Sequence, residues 1–439
     1  MAEMKVNSSL MLCCGCLVCW LAMVPAAVAD RHVTIDASGV VEASKKPDID
    51  KIEALNNHFR TRDYAGLFSS AFSYMNFDFE KSRTQAQSCY RKEDDGSITY
   101  ISAHLICGEM MARAYYLDAK YAKWANLMLR YKKEIVPQIW QRVPQTNGIP
   151  VDIIDDIKYS DFVDWPSVRV GAIPGSSHIV DMTWDMIDNT RGADDKKVPV
   201  INIKINGVPV DAIVDTGASL TVVPFGMSRY FGLHHISILE DGYKSAYNNH
   251  LRASLARVDT LDIAGFRFSN AMISVADVSR PVIGLLQLIK LHRIRLDKNH
   301  FQVIYQSSGR EECAKRMYFG GVMSGFPSRV KMTAKINGHI EHPVLDTGFG
   351  GTFRKIVHHM RNGLGEEFWG YDTKGMNKLV GHWTYATINA NGSDNRVRGS
   401  IIYFKKRQAG YRFGAQLINE IGPLYLDFDS GYACFQAER

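Results

Sequence analysis

The chain has 439 residues, of which 46% are apolar and 22% charged, and its formal net charge is +6. This length and balance are typical of a folded protein with two or three domains, and they exclude a disordered or fibrous chain. The densest basic run, Lys405-Lys406-Arg407, is short and typical of a solvated strand or loop. We therefore predict no nucleic-acid partner.

The N-terminus has the pattern of an export signal. An apolar run from Leu10 to Val24 follows Lys5, and Ala27-Val28-Ala29 forms a small-x-small cleavage pattern. We predict a signal peptide over residues 1–29 and an exported mature protein. The apolar stretch is also just long enough to span a bilayer, so an uncleaved membrane anchor is the alternative.

Four cysteines follow the predicted cleavage site: Cys89, Cys107, Cys313 and Cys434. An even number in an oxidising compartment favours disulfides. Cys89 and Cys107 flank a turn-like segment, and Cys313 and Cys434 lie near the start and end of one predicted lobe. Of the three possible connectivities we favour 89–107 with 313–434, and buried free thiols are the alternative.

Residues 48–140 have a helical pattern, because apolar and small residues recur at spacings of three and four and no proline interrupts before Pro137. The stretch from Cys107 to Leu129 resembles a tetratricopeptide-type hairpin in the placing of its small and aromatic residues. We predict a small all-α domain of helical hairpins plus a linker over residues 30–165. We consider binding of a protein partner as the role of this helical domain.

Beyond Pro137, prolines and glycines break any long helix, and short β-branched runs predict a mainly β fold. This part contains a duplication. Ile205-Asn206-Gly207 recurs as Ile336-Asn337-Gly338, and Asp215-Thr216-Gly217 recurs as Asp346-Thr347-Gly348, both 131 residues later. We therefore predict two tandem lobes, residues 166–310 and 311–439, built from one repeated unit.

Each repeat brings an aspartate to the end of a strand. Asn-Gly between two strand-like runs favours a two-residue hairpin turn, and the second strand of that hairpin ends at Asp215 or Asp346. Backbone N–H groups of the following loop can hold the charged carboxylate. If the repeats pack about a pseudo-two-fold axis, the two carboxylates meet and share one proton. One carboxylate can then activate water while the other, protonated, polarises a carbonyl.

At these residues the chain resembles the aspartic peptidase clan, and specifically the bacterial retropepsin-like proteins whose Val-Asp-Thr-Gly-Ala-Ser motif follows an Ile-Asn-Gly hairpin. Here that stretch is residues 205–219. Val282-Ile283-Gly284-Leu285 resembles the second clan element, which crosses behind the active-site loop, and Phe413-Gly414 is its counterpart. The resemblance covers residues 198–439. It implies two closed β lobes forming a pseudo-dimer, an aspartic endopeptidase acting on peptide or protein substrates, and a bacterial periplasmic or secreted location.

The resemblance also implies roles for individual residues. Asp215 and Asp346 would be the catalytic pair, and Thr216 and Thr347 would lock the two loops together through hydrogen bonds. The remaining predicted supports of the loops are Gly217, Ser219 and Gly348. Lobe 2 departs from the pattern with Phe349, which we consider a pocket residue.

The predicted substrate-covering hairpins, or flaps, lie around Tyr243 to His250 and around Trp383 to Gly392, and Tyr243, Tyr247 and Trp383 are pocket or flap candidates. Ordinary strand packing of these aromatic residues is the alternative. We predict no cofactor, and no metal, because His339, His342 and Asp346 do not share one strand face. The rival to an enzyme is an inactive peptide-binding or adaptor protein with the same fold.

Overall fold

The structure is a computed structural model. It describes residues 53, 57, 65–90, 98–135, 137, 157–186, 197–244, 250–305, 313, 315–320, 329–358, 366–372, 375–390, 392–403 and 410–436. The predicted signal peptide and Tyr247 lie outside the described residues.

The predicted helical segment contains four helices in its described part. The third and fourth form the expected hairpin, which turns at Ala119 with a φ of 57°. The Cys89–Cys107 disulfide joins the second helix to the third, as predicted. No helix in the described ranges is long and apolar enough to cross a membrane. The helices are α1 (Ala65–Met75), α2 (Phe79–Tyr90), α3 (Ile98–Leu117) and α4 (Tyr121–Arg130), which continues into a π-helical turn, Tyr131–Ile135.

Lobe 1 is a β structure closed on itself. Its sheet runs β2-β3-β4-β9-β5-β8-β7-β6, and β3 also pairs with β7, so the strands from β3 to β7 form a closed ring. The elements are β1 (Arg169–Ala172), β2 (Ile179–Met186), β3 (Lys197–Ile205), β4 (Val208–Val214), β5 (Val222–Pro224), β6 (His234–Lys244), β7 (His250–Ile263), β8 (Phe266–Ala276), β9 (Val282–Ile283), helix α5 (Leu285–Ile289), β10 (Arg293–Leu296) and β11 (His300–Val303).

Lobe 2 repeats this arrangement, with its sheet in the order β12-β13-β16-β21-β17-β20-β19-β14-β15 and β18 paired with β19. The elements are β12 (Met317–Gly320), β13 (Arg329–Met332), β14 (Ala334–Ile336), β15 (His339–Glu341), β16 (Val344–Asp346), β17 (Phe353–Val357), β18 (Glu366–Asp372), β19 (Gly375–Asn389), β20 (Asn395–Tyr403), β21 (Gly410–Gly414), helix α6 (Leu417–Glu420), β22 (Leu424–Asp427) and β23 (Tyr432–Phe435). The mainly β prediction is confirmed.

The duplication is visible in local geometry. Asn206 and Gly207 have φ values of 48° and 82°, and Asn337 and Gly338 have 48° and 85°, so both hairpins turn through the left-handed region that Asn-Gly favours. Lobe 2 differs in one respect. Its hairpin is interrupted between β15 and β16 at Pro343, which has no N–H to donate to a ladder, and this agrees with the irregularity that the proline predicts.

The two lobes share a sheet. Strand β10 of lobe 1 pairs antiparallel with β22 of lobe 2, with Ile294 opposite Leu426. The Cys313–Cys434 disulfide, also as predicted, ties the start of lobe 2 to β23 at the edge of that sheet. This shared sheet joins the lobes below their aspartate loops, so the lobes are held as a pair by main-chain hydrogen bonds.

The helical segment docks on lobe 2. The ring of Phe319 in β12 is fully buried. It makes edge contacts with the rings of Tyr74, Phe77 and Phe79, at centroid distances of 5.4, 5.5 and 5.6 Å. Phe77 also contacts Phe428, at 5.7 Å. The helices therefore share one hydrophobic core with the base of the lobes.

Candidate active site

The first aspartate sits where β4 ends and the chain turns back under a crossing strand. The N–H of Asp215 donates to the carbonyl of Ile283 in β9 (3.0 Å), and β4 and β9 run parallel. A Cβ on Gly284 would overlap the backbone of Leu220, so the loop can cross this strand only where the residue is glycine. Local sequence therefore dictates the position of the carboxylate.

The threonines of the two loops bind each other across the lobes, as the resemblance implies. The N–H of Thr216 donates to Oγ1 of Thr347 (3.0 Å), and the N–H of Thr347 donates to Oγ1 of Thr216 (3.1 Å). Oγ1 of Thr347 in turn donates to the carbonyl of Val214 (2.7 Å). All of these groups are buried. The loops are thus fixed to each other by bonds that water does not compete for.

This arrangement brings the two carboxylates into contact. The side chain of Asp215 is hydrogen-bonded to that of Asp346. A Cβ on Gly217 would overlap the carboxylate of Asp346, and one on Gly348 would overlap that of Asp215. Each glycine therefore leaves room for the aspartate of the opposite lobe, and no other residue fits there without a shift of the loop.

The environment of Asp215 favours its protonated form. Burial is the main reason that the pKa rises to about 8, and the charge of Asp346 and the hydrogen bond to it add to the effect. Oδ1 of Asp215 accepts the N–H groups of Gly217 (2.7 Å) and Gly348 (3.1 Å), which oppose the rise. The loop N–H groups that we expected are present, but burial and the second carboxylate outweigh them. Asp215 therefore keeps its proton to a higher pH than a free aspartate does.

An arginine contacts the second aspartate. Asp346 is 7% exposed, and its Oδ2 forms an ion pair with Nη1 of Arg412 in β21. The guanidinium gives this carboxylate a positive partner, whereas Asp215 receives neutral N–H groups. The two members of the pair therefore differ in their surroundings: Asp346 has a guanidinium partner, whereas Asp215 accepts neutral N–H groups and has a raised pKa.

Sequence reasoning did not find Arg412. It lies directly before the Phe413-Gly414 element, at the place where lobe 1 has Val282. The parallel pairing of β16 with β21 sets Val344 opposite Arg412, as Ile213 is set opposite Val282 in lobe 1. A comparison of the two repeats could have flagged an arginine at a position that is apolar in the other copy.

Two more of the predicted supporting and pocket residues, Ser219 and Phe349, lie in the same loops. Ser219 accepts the N–H of Leu286 at its carbonyl (3.1 Å) and stabilises the turn before α5. Phe349 is half-buried and lies within its own loop, with the guanidinium carbon of Arg354 4.4 Å from its ring centroid. Its ring packs where a Cβ on Gly351 or Gly414 would lie. Packing within the loop accounts for these contacts.

The two predicted flaps are not equivalent hairpins of the two lobes. Strand β7 pairs with β3, and β19 pairs with β14 in the same way. The hairpin of lobe 2 that matches β6–β7 is therefore β18–β19, whose tip at 373–374 lies outside the described residues. Trp383 instead lies in the middle of β19, opposite Ser400, and is 43% exposed, with the guanidinium carbon of Arg398 4.7 Å from its ring centroid. In lobe 1, Tyr243 lies near the end of β6, opposite Leu251.

Within the described ranges, no three His, Cys, Asp or Glu side chains cluster as metal ligands would. The groups that the described site does contain are two carboxylates from different lobes and an arginine that contacts one of them.

Parts of the chain are similar to known proteins. Residues 201–288 match the family described as aspartyl protease, which supports a protease function in general. No curated protein matches the chain.

Three solved structures are similar to parts of the chain. A retropepsin-like aspartic protease from Rickettsia conorii is 22% identical over 32% of this chain and 93% of its own, with a TM-score of 0.20. EIAV protease in complex with the inhibitor HBY-793 is 19% identical over 24% and 92%, with a TM-score of 0.18. Basic 7S globulin from soybean is 10% identical over 59% and 94%, with a TM-score of 0.31.

Proposed function

We propose that the chain is an aspartic endopeptidase that hydrolyses a peptide bond of a substrate held between the carboxylates of Asp215 and Asp346, and the match of residues 201–288 to the aspartyl protease family supports this. The observation that carries the proposal is the hydrogen-bonded contact between these two carboxylates, each supplied by a different lobe. Asp346, paired with Arg412, is the carboxylate that accepts a proton from the attacking water. Asp215 is protonated through neutral pH and donates to the scissile carbonyl.

Substitution of each aspartate tests this proposal. Asp215→Asn and Asp346→Asn keep the shape of the site and remove one titratable oxygen each, so cleavage of an unfolded protein substrate should fall by at least about 10²-fold in both. Asp211→Asn is the matched control, since Asp211 lies on β4, the strand that leads to Asp215, and is exposed. Inhibition of the wild type by pepstatin should accompany the loss. Equal cleavage by all three variants would refute the proposal.

A second candidate function is peptide binding without cleavage, and one observation favours it. Arg412 already occupies an oxygen of Asp346, where a reacting water or carbonyl would need room. If purified mature protein cleaves no substrate from acid to neutral pH, yet captures labelled peptides, the binding function is the better account.

Export and a partner for the helical segment are further parts of the proposal. Two disulfides support folding in an oxidising compartment. Deletion of residues 30–165 followed by partner pull-down tests the adaptor role. Because the helices bury Phe319 and Phe428, the deleted form should also lose stability.

A further inference from the structure

Arg412 occupies the position in lobe 2 at which lobe 1 has a buried valine. Strand β21 lies between β16 and β17, as β9 lies between β4 and β5 in lobe 1. Val282, at the matching position of β9, is 4% exposed. Arg412 reaches from the same place to Oδ2 of Asp346, and its side chain is 24% exposed. The guanidinium therefore extends from the reacting carboxylate toward solvent.

Two more arginines replace apolar residues around the same loop. By strand pairing, Arg329 of β13 matches Val198, which is fully buried. Arg329 directly precedes Val330, which lies opposite Leu345, so the register places Arg329 beside the Asp346 end of β16. Burial and the charge of Arg412 lower the pKa of Arg329. In β17, Arg354 lies opposite Arg412 in register, where β5 of lobe 1 has only the buried residues of Val222–Pro224. Lobe 2 therefore has three arginines, here called the cationic wall, at strand positions around the Asp346 loop where lobe 1 has the buried residues Val198, Val222 and Val282.

The cationic wall favours some substrate side chains over others next to the cleaved bond. A substrate peptide is attacked at a carbonyl carbon that lies between the two aspartates. The side chains next to that bond then lie within reach of the guanidinium of Arg412, which already contacts Asp346. An apolar side chain there would cover the guanidinium without replacing its partner, which is costly. A carboxylate forms charge-assisted hydrogen bonds with it and fits the planar guanidinium fork.

Resting on the proposed function, we propose that Arg412 makes this site selective for peptides with an acidic residue next to the scissile bond, whose carboxylate takes the guanidinium from Asp346. Before substrate binds, Arg412 occupies Oδ2 of Asp346. The transfer of the guanidinium to the substrate leaves that oxygen free to accept a hydrogen bond from the attacking water. An acidic substrate thus binds and, in the same step, removes the guanidinium of Arg412 from Asp346. A neutral substrate leaves the ion pair between Arg412 and Asp346 in place.

Matched peptides test this selectivity. A peptide-library digest first locates a cleaved bond, and three peptides are then compared with Glu, Gln or Leu next to it, at about pH 6, where a Glu side chain is ionised. Wild type should cleave the Glu peptide with a kcat/KM about 10- to 100-fold above that for Gln, the range expected for hydrogen bonds to a charged group. In Arg412→Val, which restores the lobe 1 residue, this ratio should fall to about one. Arg412→Lys should retain part of it.

Arg267→Gln is the control for loss of a positive charge, since Arg267 is an exposed residue of lobe 1 that pairs with Asp262; its Glu-to-Gln ratio should equal that of the wild type. A wild-type ratio near one, or an unchanged ratio in Arg412→Val, would overturn the inference. If no peptide is cleaved at all, the endopeptidase proposal fails, and peptide binding is measured to test the selectivity. The anisotropy of fluorescein-labelled Glu and Gln peptides then decides: a Glu preference that Arg412→Val abolishes supports the inference, and equal binding overturns it.

Discussion

The threonine contact between the loops is asymmetric, and this asymmetry predicts different costs for two similar substitutions. Oγ1 of Thr347 accepts the N–H of Thr216 and donates to the carbonyl of Val214. In the described part of the chain, Oγ1 of Thr216 takes part in one bond, from the N–H of Thr347. Valine has nearly the shape of threonine, so Thr347→Val leaves two buried groups without partners and Thr216→Val leaves one.

The magnitudes follow from these counts. A buried donor or acceptor without a partner costs about 1–3 kcal/mol, so Thr347→Val should lower the free energy of unfolding by about 2–6 kcal/mol and Thr216→Val by about 1–3 kcal/mol. Urea unfolding followed by tryptophan fluorescence measures both. The amide proton of Thr216 should also exchange faster in Thr347→Val, because that substitution removes its acceptor.

Thr183→Val, on the exposed face of β2, is the control and should change stability little. The reasoning is refuted if Thr216→Val destabilises the protein as much as Thr347→Val does. It is also refuted if the exchange rate of the Thr216 amide is the same in wild type and Thr347→Val.

Three further predictions concern the loops, the lobe interface and the helical segment. Gly217→Ala should abolish cleavage, because its Cβ would overlap the carboxylate of Asp346, whereas Gly226→Ala, with nothing within 4 Å, should cleave like wild type; equal kcat values would contradict this. His292 donates to Asp429 (2.7 Å), which raises the pKa of His292 and lowers that of Asp429. His292→Gln should therefore lower the melting temperature near pH 5.5 but hardly at pH 9, and the effect should stay within about 1 kcal/mol because the pair is largely exposed. Phe319→Ala should cost about 3–5 kcal/mol and expose the helices to limited proteolysis, and a wild-type digestion pattern would contradict the docking described here.

The sign of the His292 prediction follows from proton linkage. A raised pKa of His292 contributes stability that is fully present below the ordinary pKa of histidine and is lost as the pH rises through the raised value. The lowered pKa of Asp429 contributes stability above the ordinary pKa of aspartate, which is lost as the pH falls through the lowered value. The pair therefore stabilises the lobe interface most between these limits, and an effect of His292→Gln that grows toward pH 9 would contradict the linkage.

Much of this arrangement was predictable because the chain carries two copies of one unit. Short patterns with a strict local cause were reliable: Asn-Gly turned both hairpins, and Asp-Thr-Gly ended both strands. The cysteine pairings followed from an even count and from position along the chain. These features depend on neighbours in sequence or on the duplication, and both are visible without a structure.

Other features depended on contacts between distant segments. The hairpin of lobe 2 that matches the predicted flap of lobe 1 was not recognised, because β19 is a long strand whose two ends pair with different partners, β18 near Gly375 and β14 near Asn389. Docking of Phe319 against three aromatic side chains of the helical segment has no sequence signal. The ion pair of Arg412 with Asp346 joins residues 66 apart, and only the three-dimensional register of β16 and β21 brings them together.

The central claim is that two carboxylates from different lobes hold one proton, with Asp215 as the acid. A titration of ¹³C-labelled aspartate carboxyl groups by NMR tests it most directly. We expect the Asp215 signal to titrate with a pKa of about 8 in the wild type, and with a lower pKa in Asp346→Asn, which removes the neighbouring charge. An Asp215 signal that titrates near about 3.9, the ordinary value for aspartate, and is unchanged in Asp346→Asn would contradict the account.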